Sequence, residues 1–247
     1  MGRKTLLVGL AHPDDEVGAA GTILAQRARG DRVVVVWLTR GEMTEAFGPI
    51  PADHVAARRQ EHGRRAGEIL GVETRFLDFP DCGLQADAES AKRVARLLAE
   101  VKPDGLLTWG DAWGRGMRHP DHQASGKIFR DAITLARIAK VVEPLQPHRA
   151  MVPVFTYRGA YSQLPAVAVD VEPYLDTIHE LARFYRESIG FGDREWMERR
   201  LRHAGEPYGL RFAEVFDAWE TRPGIVPHLI PAAPAETGET VHPERAQ

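Results

Sequence analysis

Two hydrophobic patterns alternate along the chain as far as Ala139. Short unbroken apolar runs, such as Leu6–Leu10 and Arg32–Leu38 ("RVVVVWL"), lack period-two alternation and read as strands buried on both faces. Thr74–Leu77 and Gly105–Trp109 are two more short strands. Between them, apolar residues recur at helical spacing. This predicts helices over Val17–Arg29, stopped by Gly30, and Asp53–Leu70, with Gly71 just past its end. It also predicts helices over Ala88–Val101, closed by Pro103, and Gln123–Ala139. Strand–helix alternation of this kind implies an α/β fold, with a mostly parallel sheet covered on both faces. Further on, Ala150–Phe155 and Ala166–Val169 read as strands, and Tyr174–Ser188 and Arg194–His203 as helices. Residues 1–227 are expected to form a single α/β domain. Residues 228–247 form a tail rich in Pro, Ala and polar residues, expected to be mobile or docked on a neighbouring subunit.

Composition narrows the class. A chain of 247 residues with a formal net charge of −3 is long enough for a sizeable core and has no basic footprint for nucleic acid. Arg-rich stretches such as "RRQEHGRR" read as solvated helix faces. A single cysteine, Cys82, excludes a disulfide framework and a Cys-rich zinc site. The first apolar run is too short for a secretory signal, and no run approaches the ~20 residues that cross a bilayer. The expectation is a cytoplasmic protein with no membrane partner.

The candidate chemistry lies where strands end. "HPDDE" (His12–Glu16) follows the first strand, and "HPDH" (His119–His122) lies in the loop after the fourth. Ligands of a doubly wound sheet bind at the carboxyl ends of strands where the strand order reverses, so the two motifs meet if strands one and four flank that reversal. Together they offer imidazoles and carboxylates but no thiolate. Two histidines and a carboxylate are a frequent catalytic zinc set that leaves room for water and substrate. A cation would also relieve the repulsion among three consecutive acids. One aspartate can then hold the metal while its neighbour takes a proton from water acidified by it. Each motif also has a structural reading. Acids suit the first turn of a helix, and Pro120 with Asp121 suits another helix start. His242-Pro243-Glu244 in the tail shows that such a triplet arises without a preceding strand.

"HPDDE", the following "LTRGE" (Leu38–Glu42) and the later "RHPDH" together resemble the PIG-L/LmbE-like N-acetylglucosamine deacetylases. "LGV" (Leu70–Val72) and "FPDCGL" (Phe79–Leu84) fit the same pattern, and the motifs cover Leu6–Gln123. The resemblance implies a Rossmann-like three-layer fold with the site at the carboxyl ends of strands one and four. It implies hydrolysis of the N-acetyl group of a GlcNAc-containing small molecule, giving acetate and a free amine. It makes His12, Asp15 and His122 the metal ligands, Asp14 the general base, and His119 the general acid or oxyanion stabiliser. The implied cofactor is Zn2+, or another divalent transition metal such as Fe2+. For substrate binding it suggests Asp81 and an arginine at the start of the second helix. Arg58-x-x-Glu61 matches the pattern, while counting back from "LGV" gives Arg59. Family members form trimers or hexamers, so a homo-oligomer is the expected assembly. One departure stands out. Val17–Gly21 supplies one residue fewer between "HPDDE" and Thr22 than relatives usually have. Uncompensated, that turns the helix start by about 100° and reshapes the adjoining pocket wall.

Two other functional readings compete. One keeps the metal but cleaves a non-sugar N-acyl or thiol-conjugate amide; the other is a metal-free small-molecule-binding module with the acids as caps. "VGAAG" is not G-x-G-x-x-G, so no dinucleotide is implied. Cys82 reads as a buried, inert thiol, and His54, His62, His179 and His203 as exposed or capping residues. Trp109 and Trp113 flank the second motif, either as a sugar-stacking wall or as core.

Overall fold

The computed structural model describes residues 2–110 and 118–231. Trp113, residues 232–247 of the tail and the His242-Pro243-Glu244 triplet lie outside the described residues. Eight strands are described: β1 (Thr5–Leu10), β2 (Arg32–Trp37), β3 (Glu73–Phe76), β4 (Gly105–Thr108), β5 (Val154–Tyr157), β6 (Ala166–Asp170), β7 (Ala213–Ala218) and β8 (Gly224–Val226). They form one sheet in the order β3-β2-β1-β4-β5-β7-β6-β8. Pairing is parallel except on either side of β7, which runs against β5 and β6. The sheet is therefore mixed but mostly parallel.

Side chains of the central strands divide between the two faces as the pleat requires. Leu6, Val8 and Leu10 of β1, with Val33, Val35 and Trp37 of β2, enter one apolar cluster. Leu7, Val34 and Val36 enter the other, beneath a different set of helices. This is why the strands read as continuous apolar runs. The first cluster is covered by α1 (Ala20–Ala28), α2 (Ala52–Leu70), α6 (Leu175–Ile189) and α7 (Arg194–Gly205). The second is covered by α3 (Ala88–Val101), α4 (Pro120–Leu135) and the short α5 (Ala139–Val142).

Several boundaries differ from the sequence expectation for physical reasons. α4 begins at Pro120 rather than Gln123, because His119 caps it and Pro120 takes the first turn, where a missing N–H is harmless. It ends at Leu135, and a turn separates it from α5. The expected first helix starts as a 3-10 turn over Asp15–Ala19 and becomes α-helical at Ala20. Three of the five "VGAAG" residues, Val17–Ala19, lie in that turn, and Ala20 and Gly21 lie in α1. The α1 start is then capped from afar: Glu214 of β7 accepts hydrogen bonds from the Gly21 and Thr22 N–H groups at 3.0 and 2.8 Å. At the other end of the chain, Leu229 and Ile230 are buried, and Ile230 exchanges two hydrogen bonds with Gln26.

The order 2-1-4 reverses between β1 and β4, which lie in parallel register with Val8 beside Leu107. The segments leaving both strands open onto one crevice there.

Candidate active site

The turn after β1 folds back tightly. Asp15 N–H donates to the His12 carbonyl at 3.2 Å, and Val17 N–H to that of Asp14 at 3.1 Å. Asp14 pays for this with φ 111°, a left-handed value costing a non-glycine residue about 1–3 kcal/mol. Buried Glu16 supports it from beneath. Its Oε2 accepts from Asp14 N–H at 2.9 Å and Trp37 Nε1–H at 3.1 Å, and its Oε1 from the Tyr185 hydroxyl at 2.5 Å. Burial pushes the Glu16 carboxyl up to about 7 against the Tyr185 hydrogen bond. Glu16 is thus an anchor joining the turn to β2 and α6, beyond the helix-start acid its position suggests.

Asp15 is turned the other way. Its Oδ2 accepts from the backbone N–H groups of Ala11 and His12, both at 3.0 Å, and from Trp109 Nε1–H at 3.1 Å. Its Oδ1 lies 3.1 Å from His122 Nε2. Burial works against its charge, but His122 and His12 outweigh burial and hold the carboxyl well below its usual range. The His122 ring lies flat on the Trp109 indole, 3.9 Å between centroids and 9° between planes. His12, Asp15 and His122 each present one donor atom, all within 4.8 Å of one another. This set of two imidazoles and a carboxylate suits a tetrahedral divalent metal with an open position.

The other nitrogen of His12 is held by acids. Its Nε2 is 3.0 Å from Asp81 and 3.3 Å from Asp121. Burial opposes its charge, yet these two carboxylates and Asp15 lift its pKa to about 10. So acidic a setting favours a cation. Asp81, on the loop after β3, also accepts from the N–H groups of Met43 and Cys82, both at 2.8 Å. Its carboxyl, although half-buried, is held down at about 2, chiefly by His12. Asp121 accepts from Cys82 N–H at 2.8 Å and Leu84 N–H at 3.2 Å, which ties the α4 start to the same loop. Sequence reading treated Asp121 only as a first-turn acid. Its place between two motif histidines was the available signal, since a carboxylate behind a ligating imidazole fixes its tautomer.

His119 Nδ1 accepts from the Asp121 N–H at 3.3 Å. Its ring proton therefore sits on Nε2, 3.8 Å from Cys82 Sγ. Burial and the neighbouring His12 charge lower its pKa, which keeps the ring neutral.

Two expectations need correction. Arg58 is exposed, with its guanidinium 5.2 Å above the Phe47 ring, and does not line the cleft. Arg59 does: it is buried and donates through Nη2 to Asp14 Oδ2 at 2.6 Å and to the Pro13 carbonyl. The reason is helical phase. The buried stripe of α2 runs Val55, Ala56, Arg59, Gly63 and Ala66, and Arg58 falls about 100° away from it. Burial raises Asp14 while Arg59 lowers it, leaving its carboxyl at about 6. Cys82 is exposed rather than buried, at φ 60° on the cleft rim, and the partial desolvation of its sulfur there, with the nearby charges of Asp81 and Asp121, raises its pKa and keeps it a thiol. Of the remaining histidines, His54 and His203 are exposed, whereas His62 is half-buried between Phe47 and Phe184.

The PIG-L family, described as GlcNAc-PI de-N-acetylase, matches residues 7–133, the span that carries most of β1, all of β2 to β4 and the cleft residues from His12 to His122. The chain belongs to the PIG-L family. Among PIG-L relatives, diacetylchitobiose deacetylase of Thermococcus kodakarensis is 29% identical over 93% of this chain and 87% of its own length. A 1D-myo-inositol 2-acetamido-2-deoxy-alpha-D-glucopyranoside deacetylase of Thermobispora bispora is 34% identical, over 70% and 69% of the two chains. The solved N,N'-diacetylchitobiose deacetylase of Pyrococcus horikoshii superposes with a TM-score of 0.76 at 25% identity, covering 87% of this chain and 84% of that one. These three relatives are named as deacetylases, two of diacetylchitobiose and one of an inositol glucopyranoside. Among the described residues, no helix is long and apolar enough to cross a membrane.

Proposed function

We propose that the protein is a zinc-dependent N-deacetylase that hydrolyses the N-acetyl group of a GlcNAc-containing small molecule in the cytoplasm. The observation that carries the reading is the convergence of His12, Asp15 and His122 beside an Asp14 carboxyl that is not part of that donor set. Zinc held there supplies Lewis acidity to the amide carbonyl and makes water acidic enough to lose a proton near neutral pH. Asp14, with its pKa near 6, takes that proton as the water oxygen bonds to the carbonyl carbon. Arg59 holds the Asp14 carboxylate in place. His119 offers its Nε2–H to the oxygen that gains negative charge, and losing one such donor typically costs about 10²–10³ in rate. The carbon–nitrogen bond then breaks. Asp14 returns its proton to the departing amine, and the carboxylic acid formed loses its remaining proton to solvent, leaving acetate and a free amino sugar. Asp81 faces the same cleft and accepts from sugar hydroxyls.

The test is acetate release from GlcNAc-inositol, GlcNAc-malate and N,N'-diacetylchitobiose with zinc supplied. At least one should be cleaved, and Asp14→Ala should keep its zinc while losing nearly all turnover. An inert panel beside cleavage of non-sugar amides would overturn the deacetylase reading. Loss of zinc from Asp14→Ala would overturn the division of labour between Asp14 and Asp15.

A further inference from the structure

The cleft of about 590 Å³ is lined by the histidines and carboxylates already described and by two aromatic side chains, Phe191 and Trp196. Met43 and Thr44 line it as well. None of these four belongs to a motif that carries the family resemblance, and Phe191 and Trp196 come from the part of the chain beyond the family match.

The aromatic wall is built by the local backbone. α6 ends at Gly190 (φ 74°), and Gly192 (φ 66°) turns the chain again, so Phe191 stands out between two left-handed glycines and is 40% exposed. Asp193 then caps α7 by accepting from Trp196 N–H at 2.7 Å, which fixes Trp196 in the first turn. Trp196 packs partly against the core and partly lines the cleft. The two rings meet edge to face, 5.6 Å apart at 64°. Arg200, 5.7 Å from the Trp196 ring centroid, is engaged by the wall itself: it donates to the Gly18 carbonyl at 2.9 Å and its charge acts on the buried Glu214 carboxyl. Arg59, the other arginine of the lining, is ion-paired with Asp14, so both guanidiniums are already committed to partners within the protein.

We propose that Phe191 and Trp196 form the subsite for the group attached to the N-acetylated sugar, and that this subsite selects an uncharged ring, a second pyranose, over a dicarboxylate. Fixed aromatic faces suit the C–H faces of a sugar ring, which need contact area but no counter-charge. The inference rests on the deacetylase reading above.

Its test separates the two. The zinc-loaded full-length Asp14→Asn protein is titrated calorimetrically with N,N'-diacetylchitobiose, GlcNAc and GlcNAc-malate. The disaccharide should bind about tenfold or more tighter than either of the others. Phe191→Ala, at an exposed position, should remove most of that advantage, and Trp196→Phe should retain it. In the active enzyme, Phe191→Ala should lower kcat/KM for the disaccharide about tenfold more than for GlcNAc. Equal affinity for disaccharide and monosaccharide, tighter binding of GlcNAc-malate, or a Phe191→Ala effect equal on all ligands would overturn the subsite. Binding as expected with no acetate released by the wild type would leave the subsite standing and overturn the deacetylase reading instead.

Discussion

At the scale of single residues, burial decides which side chain matters. Arg58 and Arg59 are neighbours of the same type, yet Arg59 is 2% exposed and ion-paired while Arg58 is at the surface. Arg58→Ala should therefore change stability by less than about 0.5 kcal/mol and leave turnover intact. Arg59→Ala strands the Asp14 carboxylate, and breaking a buried pair costs about 3–5 kcal/mol. It also removes the group that lowers the Asp14 pKa, so the acidic limb of the kcat/KM profile should move to higher pH. Urea denaturation and a pH–rate profile check both, and an unmoved limb would show that Asp14 is not the base. Glu16 gives a second case. Glu16→Ala leaves Trp37 Nε1–H, the Tyr185 hydroxyl and the Asp14 N–H without partners in a site closed to water. Each lost partner costs about 1–3 kcal/mol, so this variant should be barely folded. Glu16→Gln keeps all three bonds, with its amide oxygen toward Trp37 and Asp14 and its NH2 toward a Tyr185 hydroxyl turned to accept. The sign of its pH dependence follows from the raised pKa. The folded protein holds the Glu16 proton up to about 7 and the unfolded chain loses it near 4.5. That contribution to stability is present below 4.5 and lost as pH rises through 7. Glu16→Gln should gain on the wild type between those values in paired denaturation curves. The "HPDDE" motif made His12, Asp14 and Asp15 legible as candidates. Glu16 and Asp121 were not, because their partners come from elements distant in sequence.

At the scale of elements, the strands and most helices were legible because their apolar periodicity is local. β7 and β8 were missed: β7 mixes Glu214 and Asp217 into its apolar positions, and both acids are buried for reasons set by other elements. Glu214 caps α1, and Asp217 accepts from Arg158. The seating of α4 was also hidden. Gly126 faces the backbone of Trp109, and a Cβ there would overlap the Trp109 carbonyl oxygen. This close approach brings the α4 start, with His119 and His122, to the end of β4. Gly126→Ala must push helix and strand apart, and overpacking of this kind costs about 1–3 kcal/mol. Because the shift acts on His122 and on the Trp109 ring stacked against it, the variant should also bind zinc more weakly. Competition with a fluorescent chelator measures that. A stability loss with unchanged zinc affinity would mean that the site does not depend on how α4 is seated.

At the scale of the whole molecule, the sheet brings together loops that are far apart in sequence, and the cluster they form exists only in the folded state. His12 lies about a hundred residues before His122, and the parallel β1–β4 pairing places them at one strand end. The position of the reversal was inferred from the fold class and is where the sheet has it. The joining of β5, β7 and β6 was not legible, since antiparallel insertion depends on pairings no local pattern encodes. Folding gathers Asp14, Asp15, Asp81 and Asp121 around His12, whose charge offsets theirs. The unfolded chain separates these charges, and it does not present the three donors of the His12–Asp15–His122 set together. A divalent cation should therefore bind the folded state selectively and raise its stability by RT ln(1 + [L]/Kd), about 2.7 kcal/mol at a hundredfold excess over Kd. Chelation should lower the melting temperature and zinc restore it, whereas His122→Ala should melt at the same temperature with or without zinc. Mg2+ should do little, because it prefers six oxygen ligands and sheds water reluctantly. Equal stabilisation of the wild type and His122→Ala by zinc would place the cation elsewhere in the molecule.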